Sequence, residues 1–164
     1  MATHLKSLSD FSHTVIPSGE DFKFGIVTAQ WNAEITGALY NGAVQMLEKQ
    51  GVKPEDILEI TVPGSFELTS GADILLAKKN VDAVICLGCV IQGETPHFDF
   101  ICNAVANGIS NVSIKYNKPV VFGVLTTNTL EQAQARAGGR HGNKGEEAAA
   151  TALLMAELQK NLTH

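Results

Sequence analysis

Apolar residues fall alternately into short continuous runs and into sets at helical spacing, which predicts strands separated by helices. Phe22 to Thr28 reads as a buried strand. Ile35, Leu39, Ala43, Met46 and Leu47 then recur at helical spacing, with Asn32 placed to cap that helix and Gly51 to end it. A second strand is expected from Ile57 to Val62, stopped by Pro63-Gly64. A helix follows from about Phe66 to Lys79, with Ser65 as its N-cap. Val81 to Ile91 is almost wholly apolar, as a strand covered on both faces should be. A long helix is expected over His97 to Lys115, with Thr95 as N-cap and Pro96 at the first helical position. The fourth strand is Val120 to Thr126. Helical segments at about Leu130 to Ala137 and Lys144 to Leu162, separated by a loop from Gly138 to Gly142, complete the pattern.

Strands alternating with helices imply right-handed crossovers and a parallel sheet with helices on both faces. The expected fold is therefore α/β: a three-layer sandwich around a four-stranded parallel sheet of flavodoxin-like order. Residues 1–21, polar and mixed, read as an N-terminal arm, and residues 22–164 as a single domain.

Composition narrows the function classes. Only 18% of the 164 residues are charged, below the roughly 25% usual for soluble domains. Interface cores are depleted in charge, so the deficit hints at large subunit contacts. A net charge of −5 without a run of Lys or Arg argues against a nucleic-acid-binding face. The longest apolar stretch, Ala83 to Ile91, is far too short to span a membrane. The first 20 residues contain no apolar signal region, and the cysteine count of three is odd. Together these lead to the expectation of a cytoplasmic protein without disulfides. Cys86 and Cys89 form C-x-x-C inside a strand, where odd spacing puts them on opposite faces, and all three cysteines read as small buried hydrophobes. No metal-ligand spacing is present, and no metal is expected.

Ligands of parallel α/β sheets bind beyond the carboxyl ends of the strands, so the residues just after each strand carry the chemistry. Trp31 either plugs a sheet edge or offers a stacking surface for a planar ring. Phe66 is a large aromatic in a first helical turn, between Ser65 and Glu67. Gly93-Glu94-Thr95-Pro96-His97 leads into a helix whose N-terminus can hold an anion, with His97 in its first turn as a candidate to accept a proton. No phosphate-loop or dinucleotide fingerprint is present. Asn143 with Glu146 resembles a capping box, leaving Lys144 at a first helical position that the dipole disfavours. Arg136 precedes that block. Phe122, inside the fourth strand, reads as core by default.

In order and spacing, several blocks resemble the lumazine synthase family. They are Phe24-Gly25-Ile26-Val27, Trp31-Asn32, Val62 to Glu67, Gly88 to Asp99, Phe122 to Thr127, and Gly142-Asn143-Lys144-Gly145. The resemblance spans about Phe22 to Leu158. It implies condensation of 5-amino-6-(D-ribitylamino)uracil with 3,4-dihydroxy-2-butanone 4-phosphate, a step of riboflavin biosynthesis, with no metal or organic cofactor. By position, Trp31 matches the aromatic that stacks on the pyrimidine, and Ser65, Phe66 and Glu67 the segment holding the ribityl chain. Cys89, Val90 and Ile91 match the strand end whose backbone reads the pyrimidine edge. Glu94 and Thr95 match the phosphate-binding pair, Arg136 its cationic partner, and His97 the proton-transfer residue. Phe122 and Lys144 match substrate-site positions, Phe122 being supplied by the adjacent subunit. The resemblance further implies pentamers with active sites between subunits, and an arm whose Phe11 to Ile16 stretch adds a strand to a neighbour's sheet. The Gly138 to Gly142 turn is short and lacks the insertion of the family's pentameric members, so the resemblance also implies a 60-subunit capsid. Glu94 departs from the small residue common there, so its backbone N–H is expected to bind phosphate while its carboxylate points away.

Overall fold

The computed structural model describes residues 7–162. Four strands form one parallel sheet: β1 (Phe24–Ala29), β2 (Ile57–Val62), β3 (Ala83–Ile91) and β4 (Val120–Thr127), in the order β2-β1-β3-β4. The helices are α1 (Ala33–Lys49), α2 (Leu68–Lys78), α3 (His97–Tyr116), the short α4 (Leu130–Gln134) and α5 (Lys144–Leu162). One turn of 3-10 helix, Pro54–Asp56, leads into β2.

Each face of the sheet carries a helical layer. Phe24, Ile26, Ile85, Leu87 and Cys89 point to one side and pack against Leu39, Leu47 and Leu153 of α1 and α5. Val27, Ala29, Val84 and Cys86 point to the other and pack against Leu68, Leu75, Val105 and Ile109 of α2 and α3. Period-two alternation along a strand is what separates the two cores. Cys86 and Cys89 accordingly lie on opposite faces, as their spacing requires. Both are buried, but Cys102 is only half-buried on α3, so the reading of three buried cysteines holds for two.

Several capping expectations are corrected. Asn32 starts α1 in the left-handed conformation (φ 60°, ψ 48°) and makes no side-chain cap. Ser65 lies two residues ahead of the α2 N-cap, Glu67, and is buried instead. Pro96 rather than Thr95 holds the cap position of α3, without a side-chain bond. The segment expected to continue α4 to Ala137 turns into a small antiparallel hairpin, β5 (Ala137–Gly139) and β6 (Gly142–Asn143). Gly138 and Gly142 have φ of +101° and +81° there, which only glycine adopts cheaply.

In the single chain the arm forms no strand between residues 7 and 23, including Phe11 to Ile16. It lies against its own hairpin: the Leu8 N–H donates to the His141 carbonyl (2.7 Å), and the Asn143 N–H donates to Ser9 Oγ (3.0 Å). Phe11 and Ile16 pack against the α1/α5 core.

Candidate active site

The carboxyl ends of β1, β2 and β3 open into a cleft of about 600 Å³, within the usual range for small-molecule sites of roughly 300–1,000 Å³. β1 delivers Trp31 and Asn32, the turn after β2 delivers Gly64 to Glu67, β3 delivers Cys89 to Ile91, and α3 delivers His97 and Ile101. Eight sequence-predicted site residues therefore meet in one place: Trp31, Ser65, Phe66, Glu67, Cys89, Val90, Ile91 and His97.

Two exposed aromatics flank the cleft. Trp31 is 74% exposed and Phe66 55%. Neither plugs a core, so both flat faces remain available to a planar ligand. Ser65 is buried where β3 passes beneath it. A Cβ at Gly88 would come within 2.7 Å of Ser65 Oγ, so this glycine makes the room. Glu67 Oε2 accepts a hydrogen bond from the Gly64 N–H (3.0 Å), which pins the Pro63-Gly64 turn against the helix start.

His97 is the first residue of the 20-residue α3 and is exposed at the cleft. The Pro96 carbonyl accepts from the Asp99 N–H (3.0 Å) and, at 3.4 Å, from Phe100. First-turn amides ahead of these have no partner within the helix and form a donor set for an anion. The exposed loop before them carries Glu94 and Thr95, which do not line the cleft.

Phe122, Arg136 and Lys144 also lie outside it. Phe122 and Lys144 share a second cleft, of about 310 Å³, with Glu147 and Thr151. Lys144 Nζ stands 2.8 Å from Glu147 Oε1. Arg136 Nη1 donates to the Gln132 carbonyl (3.0 Å), and the Arg136 carbonyl accepts from the Lys144 N–H (2.9 Å). The two cations are thus tied through backbone, at the far end of the chain from Trp31.

The Gly142-Asn143-Lys144-Gly145 block is a mounting for Lys144. Asn143 is buried. Its Nδ2 donates to the Ala38 carbonyl (3.0 Å) and its Oδ1 accepts from the Gly145 N–H (2.8 Å). A Cβ at Gly145 would sit 1.8 Å from the Leu39 carbonyl oxygen, so α5 can cross α1 only at a glycine. Half of the expected capping box is therefore present: Asn143 Oδ1 caps α5 through the Gly145 N–H, while the Asn143 N–H donates to Ser9 rather than to Glu146.

Burial pushes the Cys86 thiol up to about 12 and the Cys89 thiol to about 11. Neither offers a thiolate nucleophile at neutral pH. Among the described residues no group of three or more His, Cys, Asp or Glu is placed to hold a metal ion, and no helix is long and apolar enough to cross a membrane. Sequence reasoning overlooked Asn32, Gly64 and Ile101 as cleft residues. For Asn32 the signal was available, since asparagine directly after a strand-end Trp is one of the few residues that tolerate a left-handed backbone.

Residues 21–160 match the family model for 6,7-dimethyl-8-ribityllumazine synthase. Curated relatives named 6,7-dimethyl-8-ribityllumazine synthase align over nearly the whole chain. The one from Cytophaga hutchinsonii is 61% identical over 155 residues, covering 94% of this chain and 97% of the relative. The one from Parabacteroides distasonis is 52% identical over 158 residues, covering 96% and 99%. The one from Porphyromonas gingivalis is 49% identical over 160 residues, covering 98% and 99%. With a family match over the whole sheet and nearly all of its helices, and relatives of 49–61% identity along the chain, the chain belongs to the 6,7-dimethyl-8-ribityllumazine synthase family.

Proposed function

We propose that this protein condenses 5-amino-6-(D-ribitylamino)uracil with 3,4-dihydroxy-2-butanone 4-phosphate to give 6,7-dimethyl-8-ribityllumazine, inorganic phosphate and water. It is a transferase of riboflavin biosynthesis. The observation that carries this reading is the convergence of Trp31, Phe66, the β3 end and His97 on one cleft. A planar ring stacks on Trp31, and its polar edge meets the backbone of Cys89, Val90 and Ile91. The ribityl chain runs over Ser65, Phe66 and Glu67.

The chemistry needs proton transfers more than a strong nucleophile, since the substrate brings its own amine. That amine attacks the ketone and water leaves to form the imine. Phosphate is eliminated, and the second amine closes the ring with loss of another water. His97 takes and returns protons at the amine, the imine nitrogen and the leaving group, a role worth typically about 10²–10⁴-fold. Positioning the two reactants together can supply up to roughly 7–11 kcal/mol. The amides of Glu94 and Thr95 and the start of α3 hold the phosphate, with the Arg136 guanidinium as a bidentate partner.

Phe122, Arg136 and Lys144 reach the Trp31–His97 cleft only from a second subunit in this reading. Their place outside the Trp31–His97 cleft supports an active site shared between neighbours in a pentamer. So does the apolar groove of about 600 Å³ between the ends of α3 and α5. Its Ile114, Leu158 and Leu162 are at least half exposed, and apolar patches of this kind mark subunit contacts. The pentamers assemble into a 60-subunit shell, consistent with the short hairpin turn. The enzyme is cytoplasmic and uses no metal or organic cofactor.

Mixing the protein with both substrates and following lumazine fluorescence tests the function. The expected result is formation well above the spontaneous rate. A rate equal to the spontaneous one would leave a flavin- or lumazine-binding protein on the same platform.

A further inference from the structure

The β1–β3 ladder stops short of the end of β3. Paired residues run to Thr28↔Leu87, whereas β3 continues to Ile91. Extending the register by two would place Gln30 beside Cys89. In a parallel ladder the next rung would then run from the Trp31 N–H to the Cys89 carbonyl. The backbone does not make it. β1 leans towards β2 at this point: the Gln30 N–H donates to the Val62 carbonyl (2.8 Å) and the Trp31 N–H to the Pro63 carbonyl (3.1 Å). The vacated acceptor is taken by a side chain, with Asn32 Nδ2 donating to the Cys89 carbonyl at 2.9 Å.

Asn32 can do this because its backbone is left-handed (φ 60°, ψ 48°), which turns its side chain back across the sheet end. Both partners line the cleft. The bond joins the element that presents Trp31 to the element that presents the Cys89 to Ile91 backbone. Those are the stacking face and the polar edge that a planar heterocycle must meet at once. A ladder ending without this bond would leave the two free to separate, and a shift of about 1 Å in a positioned group can cost roughly 10²-fold.

We propose that Asn32 is a positioning residue: its side-chain amide replaces the missing rung of the β1–β3 ladder and sets the spacing between Trp31 and the β3 edge for the pyrimidine-bearing substrate. It holds no proton in the reaction and touches no phosphate. The inference rests on the proposed function for its substrate, but the bond itself does not.

The test uses the full-length protein with Asn32→Asp and Asn32→Gly. Both residues tolerate the left-handed backbone, and neither can donate to Cys89 when aspartate is ionised. The expected result is a KM for ribitylaminouracil raised at least tenfold in both variants. The KM for the phosphorylated substrate stays within twofold. Acrylamide quenching of Trp31, the only tryptophan, rises in both variants without substrate present. Unchanged quenching together with an unchanged uracil KM would overturn the proposal, as would equal rises in both KM values. If one variant fails to fold, the other decides. If wild-type protein makes no lumazine, the proposed function fails, while the quenching comparison still decides whether Asn32 holds Trp31 in place.

Discussion

Lys144 Nζ and Glu147 Oε1 pair at 2.8 Å across the first turn of α5, with both side chains mostly shielded. The helix dipole disfavours a cation at this end, and Glu147 offsets that while leaving the ammonium facing the second cleft. Glu147→Gln is expected to change stability by less than about 1 kcal/mol, as for partly exposed pairs. Lys144→Ala is expected to lower kcat/KM at least tenfold with Tm within a few degrees of wild type. Denaturation and steady-state assays on the two variants check this. A Lys144→Ala enzyme of full activity would remove Lys144 from the site.

Gly145 and Gly37 make a matched pair of helix glycines. A Cβ at Gly145 would collide with the Leu39 carbonyl, whereas nothing lies within 4 Å of one at Gly37. Gly145→Ala is expected to destabilise by at least about 2 kcal/mol, an overpacking cost. Gly37→Ala is expected to be neutral or stabilising by up to about 1 kcal/mol from helix propensity. Urea midpoints measured side by side separate them, and equal shifts would contradict the packing argument.

His97 and Arg136 are assigned different jobs, so their variants should fail differently. His97→Ala is expected to slow turnover by at least tenfold with assembly intact, as for a lost acid/base group. Arg136→Ala is expected to raise the KM for the phosphorylated substrate and leave that for the uracil little changed. Full activity in the first, or an unchanged phosphate-substrate KM in the second, would refute the assignment concerned.

Two buried thiols make the fold sensitive to alkali. Below about pH 9 both folded and unfolded chains keep the protons of Cys86 and Cys89. Above it the unfolded chain releases them, while the folded chain holds them to about 12 and 11. Stability is therefore expected to fall as pH rises above 9, by up to about 1.4 kcal/mol per pH unit for each thiol, Cys89 contributing up to about 11 and Cys86 up to about 12. Urea denaturation at pH 8 to 11 measures the slope. Cys86→Ala should flatten it, and an identical slope in that variant would show the thiol is not responsible.

Light scattering is expected to find a 60-subunit particle. A pentamer alone would overturn the shell while preserving the shared site. Dilution to monomers is expected to abolish activity, because Phe122 and Lys144 lie apart from the Trp31–His97 cleft within one chain.

The sequence by itself determined the layers. β2 occupies the Ile57 to Val62 run that periodicity marks, and α5 begins at Lys144 as expected. Continuous apolar runs can be buried on both sides only inside a helix-covered parallel sheet, so the order of elements was legible without coordinates. The strand-end blocks were legible too, because a parallel sheet sends all its carboxyl ends to one side.

Tertiary structure alone decided how local signals were used. Asn32, Ser65 and Asn143 each carry the chemistry of a helix cap, yet only Asn143 caps the helix that follows it, and even Asn143 spends its side-chain amide N–H on α1. Asn32 bonds to β3, Ser65 is buried against Gly88, and Asn143 rivets α1 to α5. A short polar side chain bonds whatever donor or acceptor the fold leaves unpaired beside it, and its partner can stand 57 or 105 residues away. Spacing along the chain carries no record of such a partner. Phe122 and Lys144 also lie apart from the main cleft within the chain, a separation that only the fold reveals.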